Sequence, residues 1–328
     1  MKRLDHYWYS INIISVILLP LSGLFCLLSL VRRLLYKSAV LQSYQAPIPV
    51  IVVGNISVGG TGKTPLIIEL AKVIKSKGKK PGIISRGYGA RADSWPQIVS
   101  GSSTADLVGD EPLLIFETTG FPVVVGPDRR QDIELLIEKF DCDVILSDDG
   151  MQHYKLNRDI EIAVIDAKRM FGNGLCIPSG PLRERTTRLK QVDIVLYNGG
   201  NEDQAAFTLQ AAECIALNDE NSLTASLDSF SGKTVHAVAG IGNPQRFFTM
   251  LEKHDITVIR HAFSDHYYFN LSDLEFSDEL PVLMTEKDAV KCKQFDLSNH
   301  WSVPVELVLT SKAQTEIQTV LDNIRYKD

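Results

Sequence analysis

At 328 residues the chain is long enough for two domains with separate cores, and 45% hydrophobic with 23% charged residues excludes the disordered and fibrous classes. A formal net charge of −6 gives no support to a nucleic-acid partner, and none is expected. The five cysteines (Cys26, Cys142, Cys176, Cys214, Cys292) are scattered without a CxxC pair, which fits buried thiols in a reducing compartment.

The chain opens with an unusual stretch. From Tyr7 to Val31, YWYSINIISVILLPLSGLFCLLSLV, there is no charge; Lys2 and Arg3 precede it and Arg32, Arg33 and Lys37 follow. About 20 apolar residues suffice to cross a bilayer. Ser10, Asn12, Ser15, Ser22 and Gly23 interrupt this run, however, and Pro20 is expected to break a single helix. Trp8, Tyr7 and Tyr9 suit a bilayer interface, and the basic flanks suit anionic headgroups. No A-x-A-like cleavage site follows, as a secretory leader would need. Residues 1–45 are therefore expected to form membrane-associating helices at the surface or shallowly inserted, ahead of a full span or an ordinary core helix.

Beyond the linker SAVLQSYQAPIP, strand and helix patterns alternate. PVIVVG (49–54) is apolar throughout, as a buried parallel strand should be. PLIIELAKVIKSKG (65–78) puts Leu66, Ile67, Leu70, Val73 and Ile74 on one helical face, with Pro65 in its first turn and Gly78 at its end. Strands are predicted at 81–85, 122–126, 143–148, 161–166 and 193–198, with a helix over 128–140. The segment 201–226 is polar and loosely patterned, so a boundary is placed there. Strands at 233–242, 256–263, 281–286 and 304–310, a helix from Asn243 and a terminal helix over 311–325 follow. The expected fold is α/β: a mainly parallel sheet of the P-loop NTPase type with helices on both faces over 46–205, a smaller α/β domain over 206–328, and the N-terminal helical segment.

Residues 57–64 read Ser57-Val58-Gly59-Gly60-Thr61-Gly62-Lys63-Thr64, the G-x-x-x-x-G-K-[ST] phosphate loop with serine in place of the first glycine. The pattern sits between a predicted strand and helix, as its mechanism requires. Glycines let backbone N–H groups wrap phosphates, and the helix N-terminus adds positive potential. Lys63 would reach the β- and γ-phosphates of ATP, and Thr64 Oγ1 would ligate Mg²⁺. Asp148 and Asp149, at the end of the strand DVILSD, are the expected Mg²⁺-organising carboxylates.

Two classes of protein with such a loop fit the sequence to this point. A membrane-associated ATPase switch of the partition type carries lysine directly before the two glycines, and here that position is Val58. A kinase must position an acceptor, remove its proton and neutralise phosphoryl charge. Arg129, Arg183 and Arg185 are candidate phosphate clamps; Asp110, in an expected polar loop, and His266 are candidate proton-handling groups.

Specific stretches decide between the two. PLSGLF, RRLLY, GNISVGGTGKTP, SRGYG, VGDEP, DR at 128–129, DDGMQH, PSGPLRE, AGIGNPQRFF, SDHYYF and TEKDAVK occur in this order. Together they closely resemble the tetraacyldisaccharide 4′-kinases of lipid A biosynthesis, from end to end. The resemblance implies an ATP- and Mg²⁺-dependent kinase acting on the 4′-hydroxyl of a tetraacylated glucosamine disaccharide 1-phosphate. It implies a peripheral or shallowly inserted monomer at the cytoplasmic face of a Gram-negative inner membrane. It pairs Asp110 with His266 as acid–base partners, with Lys63 as the catalytic lysine. It adds Glu184 to the metal set of Thr64, Asp148 and Asp149, and places Arg129 and Arg183 at the phosphate or lipid headgroup. TEKDAVK falls in the second domain without an assigned contact. The chain departs from the family pattern at Ala90, usually arginine, and at Ser264, commonly proline.

Overall fold

The computed structural model describes residues 7–217 and 223–324; Lys2 and Arg3, read above as a basic flank, and residue 325, read as the end of the terminal helix, lie outside them. Two helices come first, α1 (Ile13–Ile17) and α2 (Leu19–Lys37). Then follow β1 (Val50–Gly54), α3 (Lys63–Ser76), β2 (Pro81–Ser85), β3 (Gln97–Ile98), α4 (Ala105–Val108) and α5 (Asp110–Thr119). The next elements are β4 (Val123–Val125), α6 (Arg129–Phe140), β5 (Val144–Asp148), β6 (Ile160–Asp166) and β7 (Ile194–Asn198). The chain continues through β8 (Ala206–Ala211), β9 (Cys214–Ala216), β10 (Thr224–Ala225), β11 (Thr234–Ala239), α7 (Pro244–Lys253) and β12 (Thr257–Ala262). It closes with β13 (Val282–Thr285), α8 (Glu286–Cys292), β14 (His300–Val303), β15 (Val305–Leu309) and α9 (Ser311–Asp322).

These elements form two compact units. The first takes the chain up to Arg86, then Phe121–Thr208 and the residues from Leu309 on; the second takes Gly87–Gly120 and Leu209–Val308. Sequence pattern suggested a single boundary near residue 205, whereas the chain passes between the units four times. Helix α5 packs on α8, which draws 87–120 into the second unit. Helix α9 packs on β7, and Thr310 Oγ1 accepts from the Ala206 amide at 3.1 Å, which ties the terminal helix to the first.

In the first unit the strand order is β8-β7-β6-β1-β5-β2-β4, every neighbouring pair parallel. Strands β1, β2, β5 and β6 are buried along their whole length, the outcome expected of uninterrupted apolar runs covered on both faces. Val50, Val52, Ile84, Ile133, Leu136 and Ile145 belong to one core cluster. Strand β1 lies between β5 and β6, and its register sets Val53 beside Asp148. The loop after β1 and the acidic pair after β5 therefore leave the same C-terminal edge of the sheet.

Ahead of this sheet the N-terminal helices invert the usual burial. The helical path breaks at Leu18, and Pro20 lies in the first turn of α2, where a missing N–H costs little. Ser15 and Ser22 are buried, and Ser22 Oγ donates to the Cys176 carbonyl at 2.7 Å. Leu21, Leu24, Leu28 and Val31, spaced along one helical face, are exposed. Among the described residues α2 is the helix long and apolar enough to cross a membrane. Trp8 Nε1 donates to the Pro178 carbonyl at 2.9 Å, so this segment is tied to the PSGPLRE stretch.

The second unit holds a mixed sheet of order β12-β11-β13-β14-β9-β10. Strands β12, β11, β13 and β14 run parallel, β9 is antiparallel to β14, and β10 to β9. Strands β9 and β10 come from the stretch read as loosely patterned. Asp110 is not in a polar loop, as expected from sequence, but is the first residue of α5. Gly109 precedes it at φ 92°, and the acidic pair Asp110–Glu111 favours a helix N-terminus; Leu113, Leu114 and Ile115 then bury the helix.

Candidate active site

The phosphate loop joins β1 to α3 in the first unit. Gly59 and Gly62 adopt positive φ, and a Cβ at Gly62 would be strained there and would lie 2.3 Å from Asn198 Nδ2, which would have to move. Thr61 is pinned from two sides: Asn55 Nδ2 donates to its Oγ1 at 3.2 Å and Asn198 Nδ2 to its carbonyl at 2.9 Å. Val58 N donates to the Pro181 carbonyl at 2.8 Å and Arg183 N to the Ile56 carbonyl at 2.7 Å. PSGPLRE thus backs the loop as a short extended partner of residues 56–58. Ser57, in the place of the usual glycine, is paired there with Leu182. Arg169, ion-paired to Asp166 at 2.9 Å, also donates to the Gly60 carbonyl.

Lys63 opens α3, with its ammonium 3.5 Å from Asp149 Oδ1. Arg183 Nη1 bonds the other oxygen, Oδ2, at 2.9 Å. Burial pushes the Asp149 carboxyl up, but Lys63 and Arg183 outweigh it and hold it below the ordinary carboxylate range. Asp149 also adopts φ 47°, a conformation uncommon outside glycine. Asp148, buried at the end of β5, accepts from Ser85 Oγ at 3.3 Å. The network continues from Arg183 to Gln152 Oε1 at 3.4 Å, and from Gln152 Nε2 to Glu184 at 3.1 Å. Tyr154 OH donates to the other Glu184 oxygen and accepts from Arg188 Nε at 3.2 Å.

The second unit brings together residues 156 positions apart: His266 Nδ1 lies 2.9 Å from both carboxylate oxygens of Asp110. His266 also adopts a left-handed φ of 57°, and the ring of Tyr88 lies 4.9 Å from its own. Burial favours a neutral Asp110, but the bond from His266 and the nearby Lys287 ammonium together hold it below the usual range. Burial lowers His266 in turn, and the Asp110 bond overcomes this, so its imidazolium is favoured beyond the ordinary histidine value. A buried carboxylate aligned on a more exposed imidazole is an arrangement that can accept a proton from a hydroxyl.

Residues 14–323 match the family model for LpxK, described as tetraacyldisaccharide-1-P 4′-kinase. The chain belongs to that family. A tetraacyldisaccharide 4′-kinase of Nitrosococcus oceani is 46% identical over 98% of this chain and 95% of its own length. One of Hahella chejuensis is 44% identical over 98% and 97%. A crystal structure of the "apo" form of LpxK from Aquifex aeolicus in complex with ATP matches with a TM-score of 0.78 and 27% identity, over 96% of this chain and 100% of that one.

Within this member of the 4′-kinase family, the other residues singled out from sequence are placed as follows. Arg129 is buried at the start of α6, where it donates to the Gly126 carbonyl and pairs with Asp132, both at 3.2 Å. The Asp148 carboxylate acts on it through space. Glu184 accepts from Tyr154 and Gln152, and is linked to Asp149 only through Gln152 and then Arg183. Among the described residues no three His, Cys, Asp or Glu side chains gather as a metal cage. Arg185, the third candidate clamp, is the N-terminal flank of a 3₁₀ turn over Thr186–Gln191. Arg91, beside the divergent Ala90, stacks on the ring of Tyr268 with 5.1 Å to its centroid. Sequence reading left Gln152, Tyr154, Asn198, Arg169 and Lys287 without a role. Gln152 and Lys287 at least stand inside DDGMQH and TEKDAVK, so the resemblance marked their neighbourhood; Tyr154, Asn198 and Arg169 carried no signal.

Proposed function

We propose that the chain transfers the γ-phosphoryl group of ATP to the 4′-hydroxyl of a tetraacylated glucosamine disaccharide 1-phosphate, a step of lipid A biosynthesis. The bond between the 4′-oxygen and the γ-phosphorus forms as the bond to the β,γ-bridging oxygen breaks, ADP leaves, and the hydroxyl proton passes to the protein. The Asp110–His266 contact carries this reading. A phosphate loop alone serves switches and kinases alike, whereas an aligned carboxylate and imidazole serve an acceptor hydroxyl. The pair takes the proton as a coupled unit.

Ser57, Gly59, Gly60, Thr61, Gly62, Lys63 and Thr64 would cradle the triphosphate, with Lys63 at its β- and γ-phosphates. Thr64, Asp148 and Asp149 offer the hard oxygen donors that Mg²⁺ takes alongside substrate phosphates, and Asp149 Oδ1 has the Lys63 ammonium at 3.5 Å but no closer hydrogen-bond donor. When bound there, Mg²⁺ would supply positive charge that offsets the charge of the phosphates. Glu184 accepts from Tyr154 on one oxygen and from Gln152 on the other, so its carboxylate is held in a fixed orientation and in turn keeps Gln152 beside Arg183. Arg183 would neutralise phosphate; Arg129 would act on Asp148 through space. The apolar outer face of α1 and α2 would seat a monomer on the cytoplasmic side of the inner membrane, where the acyl chains of the substrate stay buried.

The test is incubation with γ-phosphate-radiolabelled ATP and tetraacyl disaccharide 1-phosphate, scored for labelled lipid. Lys63→Ala and Asp110→Ala are expected to abolish labelling in folded protein, and His266→Ala to slow it by about 10²–10⁴-fold. ATP hydrolysis without lipid labelling would overturn the proposal in favour of a switch, and wild-type labelling by Asp110→Ala would remove that residue from the reaction.

A further inference from the structure

TEKDAVK acquires a role in the second unit. Thr285 caps α8, and Asp288, fully buried, accepts from the Gly240 amide at 2.7 Å and from Thr285 Oγ1 at 2.6 Å. Lys291 pairs with the same carboxylate at 2.6 Å. The helix is thus anchored at its base, which fixes where Lys287 starts. The Lys287 ammonium lies 2.9 Å from Glu111 Oε1, 3.3 Å from Asp265 Oδ1 and 3.7 Å from Asp110 Oδ2. Its side chain is only 15% exposed.

The two closer partners are sequence neighbours of the reactive pair. Glu111 follows Asp110 in the first turn of α5, and Asp265 precedes His266 in the turn whose backbone takes the left-handed conformation. We propose that Lys287 is the positioning residue of the Asp110–His266 pair: its ammonium ties the segment carrying the carboxylate to the segment carrying the imidazole and keeps both in line for proton removal. The inference rests on the kinase reading above and deepens it. A lysine among three carboxylates stays charged, because burial is opposed by Glu111, Asp110 and Asp265 together. That charge also tunes the pair. Lys287, with Lys291 behind it, favours the unprotonated carboxylate, and Lys287 disfavours the imidazolium, while Asp265 favours it. The ring of Tyr88 also faces His266.

Neutralising Lys287 and neutralising its carboxylate partners should therefore move the acidic limb of the kinase pH profile in opposite directions. The full-length protein is assayed with radiolabelled ATP and tetraacyl disaccharide 1-phosphate across pH. Lys287→Met is expected to lower kcat about 10–100-fold with the KM for ATP within about twofold. Its acidic limb should rise by about one pH unit, since removing a positive charge beside the pair raises its affinity for a proton. Lys287→Arg should restore most of kcat and return the limb. Glu111→Gln with Asp265→Asn keeps the lysine, and should lower kcat with the limb shifted to lower pH; it serves also if Lys287→Met does not fold. Wild-type kcat in Lys287→Met, or an unmoved limb in both charge variants, overturns the inference. Failure of the kinase reading looks different: no labelled lipid from the wild type, or full labelling by Asp110→Ala.

Discussion

On the proposed reading an acylated substrate is met at the membrane surface, and the exposed apolar face of α2 gives the proposed seating a magnitude. Leu21, Leu24, Leu28 and Val31 lie on one face and are 57%, 53%, 60% and 42% exposed. Burying a whole leucine side chain is worth about 1.5–3 kcal/mol, so the exposed half of each is worth about 1 kcal/mol when it enters acyl chains. Leu24→Ser with Leu28→Ser should then weaken partitioning by about 2 kcal/mol, or roughly 30-fold, before any loss from the remaining residues. The assay is co-sedimentation with vesicles of mixed zwitterionic and anionic phospholipid, titrated by lipid concentration. ATP affinity, measured on the same preparation, should stay within about twofold, because neither leucine belongs to the phosphate loop. Unchanged sedimentation of the double variant would refute the reasoning. So would complete release of the wild type by high salt alone, because basic flanks rather than the apolar face would then hold the protein.

Two further outcomes follow from the first unit. Gly62→Ala forces a Cβ to within 2.3 Å of Asn198 Nδ2 at φ 92°, which breaks the Asn198 hold on Thr61. ATP binding by calorimetry should fall at least about tenfold, since backbone strain of this kind costs about 1–3 kcal/mol, and normal affinity would show that the loop does not cradle phosphate as argued. His153 is pushed down to about 4 by burial and by Arg129, Arg158, Arg32 and Lys155. Its folded value lies below its unfolded value of 6.5, so its contribution to stability is present above pH 6.5 and is lost as pH falls toward 4. Its imidazole resonance should titrate near pH 4, and His153→Gln should flatten the stability profile between those limits; titration near 6.5 would contradict the placement.

Much of the architecture was legible because its causes are local. A short, β-branched apolar run such as PVIVVG, bounded by Pro49 and Gly54, suits a buried strand, and the spacing of Leu66, Leu70 and Ile74 follows the helical turn. The phosphate loop was legible for the same reason, since glycines, Lys63 and Thr64 act within eight consecutive residues. The Asp110–His266 pair was named only through a family resemblance, because no period or spacing links positions 156 residues apart. Asp110 itself was misplaced in a loop, as the helix it starts draws its stability from packing on α8.

By itself the sequence determined where the buried strands of the parallel sheet and helices such as α3 and α6 form, that a nucleotide loop follows the first strand of the sheet, and that an uncharged apolar stretch precedes it. Each depends on interactions within a turn or two of chain. Tertiary structure alone decided that segment 87–120 joins the second unit, that Arg183 and Lys63 share Asp149, and that Lys287 stands among Asp110, Glu111 and Asp265. Those contacts exist only once distant segments have closed on one another, and the free energy of that closure is spread over whole cores rather than written at any one position.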